Sequence, residues 1–285
     1  MKLRPIVIVL TMGLLGCWAG TAAADPIPGG WTCSGNCGSS GADGVVTLSP
    51  TGNSSYQWVS TYTGLDGVGA LPTGALGMET NGSTLATSVF SASAGTALSF
   101  YFNYVTSDGS STIAYSDYAW AELFNSSKTP VATLFTARTV PSGSVVPGTG
   151  LPNPLATLNP ASVPIIGGGP SWSPLGPSSG TCFNAGCGYT GWVNSSYVIP
   201  TAGDYYLEIG AVNWIDQAFD SGLALDGVTV GGVPITPPPG GGGPPPVSTA
   251  EPGTLALLSV GLLALVARKR RHKDAAVNGD WEPLA

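Results

Sequence analysis

The chain has 285 residues, of which 42 are glycine and 25 proline, and only 9% are charged, against roughly 25% in an average soluble protein. This composition excludes a coiled coil, a helical bundle and a highly charged disordered chain. Residues 25–249 carry twelve acidic side chains and two basic ones, Lys128 and Arg138, so a net charge of −10 opposes nucleic-acid binding. The single histidine, His272, lies outside this region, which excludes histidine-dependent catalysis within it.

Residues 1–24 have the pattern of an export signal peptide that forms a short helix. Lys2 and Arg4 precede an apolar core at residues 6–15. The run Ala22-Ala-Ala24 then supplies the small residues that signal peptidase requires. The apolar core is too short for a permanent membrane span, so we expect cleavage after Ala24 and export of the chain from Asp25 onwards.

Alternating apolar and polar residues predict β-strands in the exported part, and no stretch there has a helical pattern. The strongest candidates are residues 98–105, 118–124, 205–213 and 222–230, with a bulge at Gly227. Weaker candidates are residues 45–48, 56–63, 88–90, 130–137 and 196–199. A proline-rich segment at 140–180 either wraps the sandwich or contributes a short strand near 162–166. The predicted fold is therefore all-β: an antiparallel, jelly-roll-like β-sandwich that forms an ectodomain at residues 25–233.

Five cysteines divide between the signal peptide and the ectodomain. Leu-Leu-Gly before Cys17 resembles a lipobox, so lipidation of Cys17 is an alternative to cleavage after Ala24. Export favours disulfides among the other four, and their short spacings suit two local bridges, although all three pairings are open: Cys33, Cys37, Cys182 and Cys187. A zinc site built from the four thiolates is the alternative.

Three aspartates near the last predicted strand are candidate calcium ligands, because Ca²⁺ prefers carboxylate and carbonyl oxygens on loops between strands. Asp216 and Asp220 lie on the predicted loop, and Asp226 lies on the strand. Turn formation alone also explains aspartate and glycine at these positions. The run at residues 220–228 resembles the last strand of exported jelly-roll modules, including carbohydrate-binding ones. That resemblance implies a binding role.

The remaining candidate functional residues are four tryptophans, for carbohydrate binding, and two glutamates, for hydrolysis. A carbohydrate-binding module would use exposed rings, for which the candidates are Trp120, Trp172, Trp192 and Trp214. Glu122 and Glu208 lie in predicted strands, where a facing pair of carboxylates is the minimum that a glycoside hydrolase needs. We predict no catalytic residue and no enzyme activity, and the hydrolase is the least favoured hypothesis.

The C-terminal region begins with a linker at residues 234–249, whose proline runs favour polyproline II and whose glycine run is flexible. Glu251 and Pro252 follow, and then a mostly apolar stretch at residues 255–267. A helix over these 13 residues is about 20 Å long, short of the ~30 Å hydrocarbon core of a bilayer. A basic cluster ends the stretch, with Arg268, Lys269, Arg270 and Arg271 at its start.

This order of features resembles the PEP-CTERM signal of Gram-negative bacteria, which exosortase recognises. The resemblance covers residues 250–273 and implies sorting through a short hydrophobic helix, with residues 274–285 as a cytoplasmic tail before processing. An ordinary single-pass anchor is the alternative. Residues 106–109, the segment that starts at Asp117 and residues 186–192 resemble β-rich ectodomains found with such tails, a resemblance that implies no activity.

We therefore expect a non-enzymatic exported protein that exosortase sorts to the cell surface or to the extracellular polysaccharide matrix, with a structural or adhesive role. A carbohydrate-binding jelly-roll module, calcium-dependent through the three aspartates, is the alternative function. The expected partners are exosortase, the membrane before processing, and polysaccharide.

Overall fold

The computed structural model describes residues 27–109 and 114–235, and within them eighteen strands and one short 3₁₀ helix. In chain order they are β1 (Thr32–Ser34), β2 (Asn36–Ser40), β3 (Tyr56–Ser60), β4 (Leu65–Asp66), β5 (Glu79–Ala86), β6 (Phe90–Ala92), β7 (Ala97–Thr106), β8 (Tyr118–Asn125), β9 (Pro130–Arg138), β10 (Ser144–Val146), β11 (Thr157–Asn159), β12 (Val163–Pro164), β13 (Ile166–Gly167), the 3₁₀ helix (Ser173–Ser178), β14 (Gly188–Tyr189), β15 (Val193–Val198), β16 (Gly203–Trp214), β17 (Ser221–Val230) and β18 (Val233–Pro234).

Two antiparallel sheets contain the long strands. The first sheet has the order β1-β5-β16-β8-β9, and the second has the order β11-β15-β7-β17-β3-β2. When the eight principal strands β3, β5, β7, β8, β9, β15, β16 and β17 are counted from one to eight, the sheets read 2-7-4-5 and 6-3-8-1. These orders are those of a jelly roll, so the predicted all-β sandwich is confirmed.

The main hydrophobic core lies between the two sheets. The first sheet contributes inward-facing side chains such as Leu123 and Ile209, and the second contributes Phe100 and Phe102, all at most 1% exposed. The ring of Phe102 stacks across the core on Phe135 of β9, with 3.6 Å between the ring centroids. Alternation along each strand thus places one apolar face inward, which is the pattern that the sequence displays.

The four strongest predicted strands are present as β7, β8, β16 and β17, each slightly longer than predicted. The predicted bulge is also present, because Gly227 has φ 64° and the pairing of β17 with β7 shifts register between Asp226 and Thr229. The prediction for residues 45–48 is wrong, since Val46 forms only an isolated bridge to Asp43.

Strand β5 has no counterpart among the predicted strands, although it lies second in the first sheet and pairs with β16. Its sequence, Glu-Thr-Asn-Gly-Ser-Thr-Leu-Ala, has no apolar alternation. Two polar side chains are buried because they hydrogen-bond to neighbouring backbone: Ser83 Oγ donates to the Ser60 carbonyl at 2.6 Å, and Asn81 Nδ2 donates to the Thr61 carbonyl at 3.3 Å. Hydrogen-bonded polar residues can occupy an interior strand, but hydrophobic periodicity does not reveal them.

Candidate functional site

The cysteines of the ectodomain form two local disulfides, Cys33–Cys37 and Cys182–Cys187, with Cα–Cα distances of 6.1 and 5.8 Å. The first links β1 of one sheet to β2 of the other, so it ties the two sheets together at one edge. The pairing predicted from short spacing is therefore confirmed. The four-thiolate zinc site is wrong, because all four sulfurs are used in disulfides.

Replacing both Cys33 and Cys37 by serine is expected to lower the free energy of unfolding by about 2 kcal/mol, the chain-entropy contribution of a bridge that closes a loop of roughly five residues. Urea unfolding of the oxidised protein and of the double variant, followed by circular dichroism, measures the difference. Peptide mapping without reductant provides the control: a peptide that joins Cys33 or Cys37 to the other pair would contradict the local pairing.

Two of the four candidate ligand-binding tryptophans are core residues. Trp120 and Trp172 are 0% exposed, and each indole N–H donates to an internal acceptor, the Gly69 carbonyl at 2.6 Å and the Tyr56 hydroxyl at 2.9 Å. The hypothesis that these rings bind carbohydrate is wrong, because a sugar cannot stack on a ring that has no solvent-exposed surface.

Trp192 and Trp214 are partly buried, and each already has a partner. Trp192 Nε1 donates to the Thr47 carbonyl at 2.9 Å, and its ring meets Tyr56 edge to face. The guanidinium of Arg138 lies 4.4 Å from the centroid of the Trp214 ring. Neither ring is a fully open stacking surface.

The three candidate calcium ligands lie in separate hydrogen-bond networks. Asp226 accepts hydrogen bonds from three side chains of the loop between β2 and β3, Ser49, Thr51 and Asn53. Asp220 accepts from Thr61 and Ser178. Asp216 is exposed, and its Oδ1 accepts the Ala218 N–H at 2.9 Å within its own turn. Turn formation therefore accounts for Asp216 and loop anchoring for Asp226.

Glu122 and Glu208 are directly opposite each other on β8 and β16. Glu122 is fully buried; the hydroxyls of Thr73 and Thr133 donate to its Oε1, and its Oε2 has no hydrogen-bond partner among the described residues. Burial raises the pKa of Glu122, and burial together with the charge of Glu122 raises the pKa of Glu208. The two residues do face each other, but Glu122 does not line an open cleft that a glycan could enter.

A second group of carboxylates lies at one end of the sandwich. Asp108 follows β7 and Asp117 precedes β8, and they are only 3% and 1% exposed. Asp117 accepts the backbone N–H of Trp214 at 3.1 Å and the Ser221 hydroxyl at 2.8 Å. The backbone N–H of Asp117 donates to the carboxylate of Asp108, whose Oδ2 has no partner within the described part of the chain. We call Asp108, Asp117 and Asp216 the acidic corner.

Burial and mutual repulsion perturb the acidic corner strongly. Burial, followed by the negative charge of Asp216, raises the pKa of Asp108 to about 8. Burial and the charge of Asp108 raise the pKa of Asp117 well above its ordinary value. Sequence analysis missed the pair because the two aspartates flank different strands, and only the crossing from one sheet to the other brings them together.

Several predicted features lie outside the described residues. These are the signal peptide at 1–24 with Cys17, the residues Glu251 and Pro252, and the basic cluster that starts at Arg268. In the part of the chain that the structure describes, no helix has the length and apolar character that a bilayer span requires.

Comparisons with known proteins locate one family feature. The PEP-CTERM protein-sorting motif matches residues 250–271. A comparison with curated protein sequences gives no match.

Three solved structures are distantly similar to the chain. Tailspike protein 4 of bacteriophage CBA120 is 11% identical over 71% of this chain, which spans only 19% of the tailspike chain, with a TM-score of 0.30. The K1 cleaved adhesin domain of Lys-gingipain from Porphyromonas gingivalis W83 is 14% identical, with coverage of 72% of this chain and 91% of the domain and a TM-score of 0.30. The K3 domain of the same protein is 12% identical, with coverage of 73% and 97% and a TM-score of 0.33.

Similarity at these TM-scores does not indicate a shared function. The C-terminal motif is more informative, because it implies export, a C-terminal membrane anchor and processing by exosortase. The chain therefore combines an antiparallel β-sandwich domain with a PEP-CTERM protein-sorting motif at residues 250–271.

Proposed function

We propose that the protein is a non-enzymatic surface or matrix protein, whose β-sandwich is presented outside the cell after exosortase has processed the C-terminal signal. The sorting motif at residues 250–271 is the observation that carries this proposal. The proposed presented part is residues 25–233, and the proline- and glycine-rich linker at 234–249 spaces it from the membrane before processing. Its role is structural or adhesive within the extracellular polysaccharide.

The properties of the sandwich support a passive role. Two disulfides and a jelly-roll core suit a protein that must persist in an oxidising environment. The carbohydrate-binding alternative has less support, because two of its four candidate rings are buried and the other two already contact protein groups.

The sorting route is tested by expressing the full chain in cells that contain exosortase and in cells that lack it. We expect an antibody against the sandwich to detect a shortened product outside the inner membrane only when exosortase is present. A Glu251→Ala, Pro252→Ala double variant is expected to remain full-length in the membrane, because it lacks the residues at the start of the motif. Mass spectrometry of the product measures the cleavage.

The matched control is Pro245→Ala with Pro246→Ala, which changes two residues of the linker and leaves the motif intact. This variant should be processed like the parent. Recovery of the intact chain through Ala285 from the inner membrane of cells that contain exosortase would contradict the route and leave an ordinary membrane anchor.

A further inference from the structure

The acidic corner buries two carboxyl groups next to each other, and their ionised forms repel one another. Two carboxylates, Asp108 and Asp117, are almost completely removed from solvent, and Asp216 adds a third charge at the surface. Burying one charge without compensation costs several kcal/mol, and a buried pair costs more. Arg138 is the basic residue near this end and acts on Asp117 through its charge, while its guanidinium donates to the Ser116 and Thr149 carbonyls and lies over Trp214.

Two buried carboxyl or amide oxygens near this corner accept no hydrogen bond from the described residues, and the buried hydroxyl of Ser116, next to Asp117 in sequence, has no partner there either. One is Asp108 Oδ2. The other is Oδ1 of Asn213, a residue that is 1% exposed. Asn213 Nδ2 donates to Asn81 Oδ1 on β5 at 2.9 Å, and Asn213 itself lies on β16, the strand between β5 and β8. Buried oxygens that accept nothing are rare in folded proteins, and a bound ion is one established explanation.

The topology brings the strand ends that carry these residues to the same end of the sandwich. β7 ends two residues before Asp108, β8 begins directly after Asp117, and β16 ends directly after Asn213 at Trp214. Val212 pairs with Tyr118, so Asn213 and Asp117 are the next residues along these two antiparallel strands. The hydrogen bond from the backbone N–H of Trp214 to Asp117 Oδ1 confirms that the strand ends are in contact.

We propose that Asp108, Asp117 and Asn213 bind a calcium ion, with Asp216 at the entrance of the site. All of the donors are oxygens, without histidine or cysteine, which favours a hard cation over zinc or copper. Ca²⁺ accepts irregular shells completed by water and backbone carbonyls, whereas Mg²⁺ requires a nearly ideal octahedron. Among the described residues no three His, Cys, Asp or Glu side chains form a preformed metal cluster, so the site has two buried carboxylates and an amide rather than a carboxylate cage.

This site differs from the calcium site predicted from sequence. It retains Asp216 at its edge, and it replaces Asp220 and Asp226 by residues that flank or end other strands. It also goes beyond the proposed surface role, since the sorting route can fail without affecting it.

The experiment measures thermal unfolding of the full-length chain in detergent, in EDTA and in 10 mM CaCl₂. Calcium sites of extracellular modules have Kd values on the order of 10⁻⁴ M, so 10 mM is about a hundredfold excess. We expect the Tm to rise by roughly 5–10 °C in calcium. Terbium luminescence sensitised by tryptophan provides a second readout, because Trp214 is adjacent to the site through the hydrogen bond from its backbone N–H to Asp117 Oδ1.

Asp108→Asn is expected to abolish the calcium-dependent rise in Tm. Asp216→Ala, an exposed change that removes one hydrogen bond within its own turn, is expected to weaken terbium binding several-fold. Asp226→Asn is the matched control: this aspartate is equally buried, but its oxygens are hydrogen-bonded by Ser49, Thr51 and Asn53. Asp226→Asn should therefore lower the Tm in both buffers and retain the calcium response.

Three results would overturn the proposal. The first is a Tm that does not respond to calcium, including one that rises only on acidification, which would show that the aspartates share a proton. The second is a calcium response that persists in Asp108→Asn. The third is terbium binding that Asp216→Ala leaves unchanged while Asp226→Asn removes it.

Discussion

Replacing Trp120 by alanine is expected to lower the free energy of unfolding by about 3–5 kcal/mol, the usual cost of removing a large aromatic side chain from a packed core. The ring has no exposed surface, and its N–H donates to the Gly69 carbonyl at 2.6 Å. It also lies on Gly210 of the neighbouring strand, where an added Cβ would come within 2.4 Å of the indole. The substitution therefore leaves both a cavity and an unpaired carbonyl. Urea unfolding followed by circular dichroism measures the loss.

Two further variants test whether the loss of stability comes from the buried packing of the Trp120 ring. Gly210→Val disturbs the same contact from the neighbouring strand, because a side chain at position 210 must displace the Trp120 indole. This variant should therefore also lower the free energy of unfolding strongly. Phe183→Ala removes an aromatic ring that is 56% exposed and is expected to cost less than about 1 kcal/mol. A Trp120→Ala protein with parental stability but altered glycan binding would show that this ring is a ligand platform after all.

Changing Glu122 to glutamine is expected to shift stability in favour of the variant as pH rises. Burial raises the pKa of Glu122, so the folded protein holds this proton more tightly than the unfolded chain. The parent therefore loses stability as pH rises from the ordinary carboxyl range through the raised pKa, and the neutral glutamine does not. Between about pH 4 and pH 8 we expect the stability difference to move steadily towards Glu122→Gln.

The contributions of the buried aspartates to the pH dependence of stability cancel when the parent is compared with the variant. Asp108 and Asp117 titrate in the same direction and are present in both proteins, so their contributions cancel. The pKa of Glu208 is raised in part by the charge of Glu122, so the difference contains the change at Glu122 together with its effect on Glu208. Glu208 is its direct neighbour, and Lys128 also acts on Glu208. Glu208→Gln, at a half-buried position, should give a smaller shift. A stability difference that is the same at both ends of this pH range would contradict the assignment.

The depth of a side chain is harder to predict than the strand that carries it. Alternation correctly predicts a strand at residues 118–124, whereas the hypothesis that Trp120 is an exposed, carbohydrate-binding ring is wrong, because this ring belongs to a buried cluster separate from the main core. The outer face of the first sheet has a small core of its own, in which Leu71, Leu151 and Val212 cover that ring. Loops distant in sequence supply two of these residues, and no local pattern predicts where such loops lie.

Local features of this protein can be read from the amino-acid sequence: the alternating strands β7, β8, β16 and β17, the bulge at Gly227, the two short-range disulfides and the sorting motif at 250–271. Each depends on residues within a few positions of one another. Only the folded chain reveals the burial of Trp120, the facing pair Glu122 and Glu208, the inclusion of the polar strand β5, and the meeting of Asp108 with Asp117. The glutamate pair and the place of β5 depend on which strands a jelly roll makes neighbours, the aspartate pair on how the two sheets pack at one end, and the burial of Trp120 on loops distant in sequence. All three come from packing the whole chain.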